Sequence, residues 1–220
     1  MAHKLSDEWS FYGFTMPSSD ETNETEESYS NHIKLLARFS TVEEFWASYS
    51  HIIRPSSLPN HGALHLFRGT SRAMREDPEH INGGSFLFRV SKGMASYYWE
   101  QLILALIGGR LDDDVIGILI SARPKFYNIS IWQKNAGDEA LRLEICKKFC
   151  ECIHLPLKTR IDYTKHNTVI NTEDNSKRLV HYILEEEGPV CKELPTRAQP
   201  HPEDDKKDVK SEETNVTPKE

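Results

Sequence analysis

The stretch that decides the fold, residues 112–132, reads DDDVIGILISARPKFYNISIW. Two runs rich in β-branched and aromatic residues, 115–120 and 126–132, flank a short polar break, and this pattern is typical of two paired strands. Pro124 cannot donate a hydrogen bond to a neighbouring strand, so the break predicts a turn. We therefore interpret the stretch as a β-hairpin.

The tip of this hairpin carries two cations near an aromatic residue. Arg123 and Lys125 flank the proline, and Trp132 stands on the returning strand. Cations beside an aromatic ring suit a ligand in which phosphate is attached to a flat base. A charged turn with a tryptophan in the core is the plainer interpretation of the same residues.

The rest of the chain predicts an antiparallel sheet with helices on one face. Residues 3–184 contain patterns for about eight strands, at 3–14, 33–39, 63–67 and 85–90, in the hairpin, and within 155–163 and 178–184. Three helices are predicted, from Thr41 toward Ile53, at 94–109 and at 138–153. The first begins with TVEE, a capping box. Helices and strands do not alternate as a parallel sheet requires, so the fold class is α+β.

Two segments are too polar to join a core. Residues 15–28 are acidic and rich in Ser, Thr and Asn, which predicts a mobile loop. Residues 185–220 hold eleven Asp and Glu against six Lys and Arg, which predicts a disordered acidic tail. We therefore expect one folded domain in residues 1–184.

Composition limits the classes of function. A net charge of −7 argues against binding nucleic acid through a broad basic face, although it leaves room for a small basic site. No apolar run approaches the roughly 20 residues that span a bilayer, and no signal segment opens the chain. We expect a soluble, cytoplasmic monomer without a membrane partner.

The cysteines do not indicate a secreted disulfide framework. Cys146, Cys150 and Cys152 form a C-x3-C-x-C pattern followed by His154, which is compatible with zinc but lacks the paired C-x-x-C hooks of structural zinc sites. Cysteines packed in a helix explain the spacing better. We therefore expect no metal and no other cofactor.

Four motifs, in order, carry a resemblance to a known family. They are VEEFW at 42–46, MREDPEHINGG at 74–84, WEQLILALIG at 99–108 and RPKFYNISIW at 123–132. Over most of residues 3–184 the chain resembles the eukaryotic translation initiation factor 4E family, the messenger RNA cap-binding proteins. The resemblance implies a curved antiparallel sheet of eight strands with three helices on its convex face.

The resemblance also implies a binding site for the 7-methylguanosine cap of messenger RNA. Glu76 falls where the family's glutamate binds the base edge, Arg123 where an arginine binds phosphate, and Trp132 where a tryptophan touches the methyl group. Lys125 is expected to assist at the phosphates, together with Lys177 or Arg178. A methylated base is cationic and is attracted to aromatic faces, while a carboxylate accepts two parallel N–H bonds from guanine.

Three residues depart from the family pattern. Tyr29 and Arg75 stand where two tryptophans sandwich the base, and Asn128 stands where a lysine usually binds phosphate. The tyrosine keeps an aromatic face. An arginine plane can stack on a neutral base, but on a cationic base it sets like charges together.

A second implied site lies on the helices. Val42, Trp46 and Leu104 match the patch where family members bind the Y-x-x-x-x-L-Φ helix of an initiation factor 4G-like scaffold or a 4E-binding protein. A core role for Trp46 is the alternative. Glu100 and Gln101 replace the usual Leu and Glu beside this patch.

The function implied is cap binding without catalysis. The protein would bind capped messenger RNA and a scaffold or regulator, and so recruit the messenger for translation initiation. The alternative is a cap-binding translational repressor that engages a different partner. An enzyme finds no support, because the sequence shows no P-loop, no nucleophile paired with a base and no cluster of metal ligands.

Overall fold

A single nine-stranded sheet organises the computed structural model of the chain, which describes residues 2–15, 31–171 and 179–191. Neighbouring strands are antiparallel, in the order β2-β1-β3-β5-β6-β4-β7-β8-β9. The strands are β1 Lys4–Phe14, β2 Ile33–Thr41, β3 Ala63–Arg68, β4 Gly84–Val90, β5 Val115–Ala122, β6 Tyr127–Gln133, β7 Arg160–Lys165, β8 Leu179–Glu185 and β9 Gly188–Cys191. The sheet is curved, and the predicted α+β class is confirmed.

Four α-helices lie in the described residues: α1 Val42–Tyr49, α2 Ala95–Ile107, α3 Glu139–Cys152 and the short α4 His166–Asn171. The sequence predicted the first three and missed the fourth. The capping box is confirmed, because the Thr41 hydroxyl accepts a hydrogen bond from the Glu44 amide at 3.2 Å. Helix α1 ends at Tyr49, so the prediction that it reached Ile53 was wrong. Ile53 lies past the helix and is exposed.

The sheet has two different faces, which follow from the alternation of side chains along each strand. On β6, Tyr127, Ile129 and Ile131 belong to the main core. Apolar residues of α1, α2 and α3 belong to the same core, so we call this side the helical face. Asn128 and Trp132 alternate with these residues and line a cavity on the other side, the open face.

Glycine makes close packing possible on the open face. A Cβ on Gly117 of β5 would lie 2.4 Å from the Phe67 ring, so only glycine fits there. The Phe67 ring thereby packs across Gly117 and meets Trp132 edge-on at 5.4 Å between centroids. The glycine of the hairpin thus helps to fix the position of the tryptophan.

The strand count differs from the prediction by one. Strand β9 lies in the stretch that composition assigned to a disordered tail, so the boundary at residue 185 was wrong. This strand pairs with β8 through the backbone, from Glu185↔Gly188 to Tyr182↔Cys191, and backbone pairing does not require an apolar sequence. Most of the predicted mobile loop, residues 16–28, and the tail from residue 192 lie outside the described residues. No helix in the described part of the chain is long and apolar enough to cross a membrane.

Candidate functional site

A cavity of about 530 Å³ opens on the open face. Strands β3, β5, β6 and β4 form its floor, and the loop between β3 and β4, residues 69–83, forms one side. Four of the six residues predicted for the site line it together: Arg75, Glu76, Arg123 and Trp132. These residues are up to 57 positions apart in the sequence, and the sheet brings them to one place.

Two residues predicted for the site are not among those that line the cavity. Lys125 lies in the hairpin turn, where its side chain is exposed. Tyr29 lies outside the described residues, as do Lys177 and Arg178. The described part of the site therefore has one carboxylate and two guanidinium groups.

Two buried histidines hold the loop that carries Arg75 and Glu76 in place, one within the loop and one at the start of α4. His80 Nδ1 donates a hydrogen bond to the Met74 carbonyl at 2.8 Å, and His166 Nδ1 donates to the His80 carbonyl at 2.8 Å. Carbonyl oxygens only accept hydrogen bonds, so both rings carry their proton on Nδ1. The two bonded carbonyls, those of Met74 and His80, lie on either side of Arg75 and Glu76 in the sequence, so both ends of this segment are held.

Burial keeps the second of these histidines neutral. His166 is fully buried, and burial lowers the pKa of its imidazole to about 4. The positive charge of Arg75 contributes a smaller part of this lowering of the pKa. The hydrogen bond to the His80 carbonyl acts in the opposite direction but is the weaker influence.

Trp132 is a packed wall of the cavity rather than a freely exposed ring. Its side chain is 3% exposed. The ring contacts Phe67 and His80 edge-on and lies 4.4 Å from the His166 ring between centroids. Packing on several sides fixes the orientation of the indole before any ligand arrives.

Arg75 lies over this tryptophan. Its guanidinium carbon is 5.9 Å from the centre of the Trp132 ring, and the side chain is half-buried at the edge of the cavity. A cation at this distance is attracted to the face of an indole. Arg75 therefore projects into the cavity and not into solvent, and it brings a positive charge to the position of the expected second stacking residue.

Glu76 and Arg123 supply the opposite charges that the predicted ligand requires. Glu76 has an exposed side chain with no hydrogen-bond or ion-pair partner among the described residues, so its carboxylate can accept bonds from a ligand. Arg123 closes the hairpin turn, because its amide donates to the Phe126 carbonyl at 2.9 Å. Its guanidinium has no carboxylate partner in the described part of the chain and is half-buried at the cavity.

The floor contains polar residues that the sequence analysis did not single out. His65 pairs in register with Leu119, Leu119 with Ser130, and Ser130 with Leu87, which makes a row across four strands. His65 is fully buried, neither ring nitrogen has a hydrogen-bond partner, and burial lowers its pKa to about 3. Part of the signal was present in the hairpin, where Ser130 of this row and the neighbouring pair Ser121 and Asn128 interrupt the apolar runs.

The predicted partner patch is on the helical face. Trp46 is 47% exposed and Val42 is 37% exposed, whereas Leu104 is half-buried. The alternative of a core role for Trp46 was wrong, because the core of α1 is made by Phe45 and Tyr49. The Trp46 ring rests on these two rings at 4.9 and 6.0 Å between centroids.

An ion pair borders this patch. Arg54 and Glu100 lie 2.8 Å apart, and the Tyr49 hydroxyl donates a hydrogen bond to the same Glu100 carboxylate at 3.2 Å. Burial and the negative charge of Glu100 raise the pKa of Tyr49. Glu100, which stands where the family usually has a leucine, is therefore held in place by Arg54 and Tyr49.

The cysteine pattern belongs to the core of α3. Cys146 and Cys150 are buried free thiols and Cys152 is half-buried, as the helical interpretation predicted. Burial raises the pKa of the Cys146 thiol well above its ordinary value. Among the residues that the structure describes, no three or more His, Cys, Asp or Glu side chains are placed to hold a metal ion.

Known proteins of one family resemble this chain in sequence and in structure. The sequence profile described as "Eukaryotic initiation factor 4E" matches residues 4–180. The "Eukaryotic translation initiation factor NCBP" of Triticum aestivum is 39% identical over 152 residues, which are 68% of this chain and 65% of that protein. The "Eukaryotic translation initiation factor 4E-1" of Zea mays is 34% identical over 167 residues, which are 75% of this chain and 74% of that protein. This chain thus spans slightly less than two thirds of the Triticum protein.

A solved structure extends the likeness to the whole fold. The structure of Ascaris suum eIF4E-3 with an m7G cap superposes with a TM-score of 0.71 at 25% sequence identity. The superposition covers 82% of this chain and 98% of the Ascaris chain. All of the cavity residues lie within the range that the family profile matches.

Proposed function

The chain belongs to the eukaryotic initiation factor 4E family, and we propose that its cavity binds the 7-methylguanosine cap of messenger RNA. One observation carries the proposal. Glu76 of the loop 69–83 and Arg123 and Trp132 of the hairpin 112–132 line a single cavity on the open face. The Ascaris relative holds an m7G cap on the same fold, and this supports the assignment.

Each of the three residues has a chemical task in this proposal. The Glu76 carboxylate accepts two N–H bonds from the edge of the guanine base. The Arg123 guanidinium binds the phosphate chain, and its planar fork matches two phosphate oxygens. The Trp132 indole lies against the methylated side of the base, whose positive charge favours an aromatic neighbour.

Arg75 gives this cavity an unusual balance of charge. With Arg75 and Arg123 against Glu76, the described cavity has two cations and one anion. The cationic base is repelled by the guanidinium over Trp132, whereas the phosphates are attracted to it. The cavity therefore favours a cap that retains its phosphates over a bare methylated nucleoside.

The patch of Val42, Trp46 and Leu104 is proposed to bind a helix of a scaffold or regulator protein. An exposed tryptophan supported by aromatic neighbours is a suitable anchor for an amphipathic helix. The cap site and this patch together bring capped messenger RNA to a partner in the cytoplasm without catalysis. An initiation factor 4G-like scaffold makes the protein an activator of initiation, and a different partner makes it a repressor.

Calorimetric titration with 7-methyl-GTP and with GTP tests the cap proposal. We expect the wild type to prefer the methylated ligand at least about ten-fold. Glu76→Gln removes the charged acceptor, which is worth roughly 1.5 to 3 kcal/mol, so its affinity for 7-methyl-GTP should fall by about ten-fold to 150-fold.

A matched control is Glu151→Gln, which makes the same change of charge at an exposed position on α3. This variant should bind 7-methyl-GTP as the wild type does. Equal affinity of the wild type for both nucleotides, or an unchanged preference in Glu76→Gln, would overturn the proposal.

A further inference from the structure

A third arginine, Arg89, lies beside the cavity, on the strand next to that of Asn128. Strand β4 pairs with β6 so that Arg89 stands opposite Asn128, one of the cavity residues. On β4, Phe86, Phe88 and Val90 belong to the core of the helical face. Arg89 alternates with them, so its side chain lies on the open face.

An aromatic ring holds this arginine. The Arg89 guanidinium carbon lies 4.7 Å from the centre of the Phe126 ring, and the arginine side chain is exposed. Phe126 is the residue whose carbonyl accepts the Arg123 amide at the turn of the hairpin. Arg89 and Arg123 therefore lie at the same end of the open face, on either side of β6.

Neither of these two cations is neutralised within the described part of the chain. No carboxylate there forms an ion pair with Arg89 or Arg123. Arg160 on the next strand, β7, differs from them, because its Nε lies 2.7 Å from an Asp162 oxygen. In a protein with a net charge of −7, two unpaired guanidinium groups beside one cavity form a local anion site.

The chemistry of guanidinium selects the kind of anion. A planar fork with several N–H donors matches the oxygens of phosphate, and stacking on an aromatic ring leaves the edge of the fork available for hydrogen bonds. Two such groups separated by the width of one strand suit a ligand with more than one phosphate. Asn128, which lies between them, adds no charge.

We propose that Arg89, held by Phe126, is a second phosphate contact of the cavity and binds the phosphate chain of the cap from the side opposite Arg123. The inference rests on the proposed cap-binding function of the same cavity. Asn128 on β6 is neutral where the family usually has a lysine, and Arg89 on the neighbouring strand β4 supplies a positive charge in its place. Phe126 is a positioning residue, because it acts on the ligand only through Arg89.

Titrations with three ligands test the proposal: 7-methylguanosine, 7-methyl-GMP and 7-methyl-GTP, each at several salt concentrations. Arg89→Ala should weaken the binding of 7-methyl-GTP by about ten-fold or more and leave the binding of the bare nucleoside unchanged. The slope of log affinity against log salt concentration for the triphosphate should fall in magnitude by about one.

Two further variants separate this role from a general effect of charge. Phe126→Leu keeps the cation but removes its aromatic support, so it should weaken 7-methyl-GTP binding by a smaller factor than Arg89→Ala. Arg110→Ala, at an exposed position after α2, makes the same change in net charge and should leave all three affinities unchanged. Thermal melting of each variant confirms that it is folded.

The outcomes distinguish this inference from the proposed function. If the wild type binds methylated and unmethylated nucleotides equally, the cap proposal fails and this inference fails with it. If the wild type selects 7-methyl-GTP but Arg89→Ala binds it equally well, only the inference about Arg89 is overturned. Equal losses for the nucleoside and the triphosphate would also overturn it, because phosphate would then not be the partner.

Discussion

At the scale of single residues, the cavity combines side chains that attract a cationic base with one that repels it. Glu76 and Trp132 suit a cationic base, whereas Arg75 sets a positive charge over the same indole. A guanidinium at this position is attracted to the face of the ring. In the proposed complex a methylated base would share the indole with a like charge, so we expect Arg75 to limit the affinity for a minimal cap.

Arg75→Trp is therefore expected to strengthen the binding of 7-methylguanosine. The substitution removes the like charge and supplies a stacking surface, and base stacking on an aromatic residue is worth roughly 1 to 3 kcal/mol, which corresponds to about five-fold to 150-fold in affinity. Titration of the nucleoside by intrinsic tryptophan fluorescence measures the change. Arg72→Trp, an exposed position in the same loop, is the control and should leave the affinity as it was. An unchanged affinity in Arg75→Trp would show that Arg75 is not at the base.

His65 makes stability depend on pH. Its pKa is about 3 in the folded protein against an ordinary value of 6.5, so below pH 6.5 the unfolded chain binds a proton that the folded protein does not. Stability is therefore fully present above pH 6.5 and falls as the pH decreases toward 3. Between pH 7.5 and 5.5 this one group should lower the free energy of unfolding by about 1.4 kcal/mol.

Urea unfolding at the two pH values measures this loss. In His65→Gln the decrease in the free energy of unfolding between pH 7.5 and 5.5 should be smaller than in the wild type by about 1.4 kcal/mol. His61→Gln removes an exposed histidine that also lines the cavity and should retain the wild-type decrease. A decrease in His65→Gln as large as that of the wild type would contradict the assignment.

At the scale of elements, β9 shows that a polar sequence can be held by backbone pairing. This strand contains Gly188 and Pro189 and follows three glutamates, so its composition indicates no core. It nevertheless continues the sheet beyond β8 and pairs with Tyr182, a fully buried residue. The Tyr182 hydroxyl in turn accepts a hydrogen bond from the buried Arg142 of α3 at 2.7 Å. The edge strand therefore continues the sheet beside a residue that makes a polar contact in the core.

Removal of β9 is expected to destabilise the fold. A chain shortened after Glu187 loses the hydrogen-bond partners of β8, and each net hydrogen bond is worth roughly 0.5 to 1.5 kcal/mol. Its free energy of unfolding should be lower by about 1 to 3 kcal/mol than that of a chain shortened after Cys191. Urea unfolding of the two shortened chains makes the comparison. Equal midpoints would mean that β9 contributes nothing to stability.

At the scale of the whole molecule, the two proposed sites lie on opposite faces of one sheet. The cavity is on the open face, and the patch around Trp46 is on the helical face with the core between them. Because the core separates the two sites, we expect a substitution in one site to leave binding at the other unchanged. We therefore expect ligand and partner to bind at the same time.

Trp46→Ala tests this independence. The side chain is 47% exposed and rests on Phe45 and Tyr49, so we expect a loss of stability of about 1 to 2 kcal/mol, a fold that stays intact, and an unchanged affinity for 7-methyl-GTP. Binding of a labelled Y-x-x-x-x-L-Φ peptide should weaken by about 2 kcal/mol or more, since an anchoring tryptophan is lost. Fluorescence polarisation measures the peptide and calorimetry the nucleotide. Leu157→Ala, at an exposed apolar residue outside the patch, is the control. Loss of nucleotide binding together with peptide binding would refute the separation.

The sequence by itself determined the features that depend on near neighbours. The turn at Pro124 and the apolar runs of 112–132 predicted the hairpin that the structure contains. The capping box predicted the start of α1, and the order of four motifs identified the family. Such features are visible in sequence because strand alternation, turns and helix caps involve residues only a few positions apart.

Only the tertiary structure decided which distant side chains meet. Strand β6 lies between β5 and β4, so Asn128 faces Arg89 and Trp132 meets the histidines of a loop and of α4. The place of Arg75 over Trp132 depends on a loop pinned by hydrogen bonds from His80 and His166. Periodic patterns in the sequence do not predict these pairings. The order of the strands and the position of the loop are set by packing between segments that are far apart in the chain. Arg75, Glu76, Arg123 and Trp132 of the cavity could therefore be named from the sequence, but the buried His65 and the charge environment of the cavity could not.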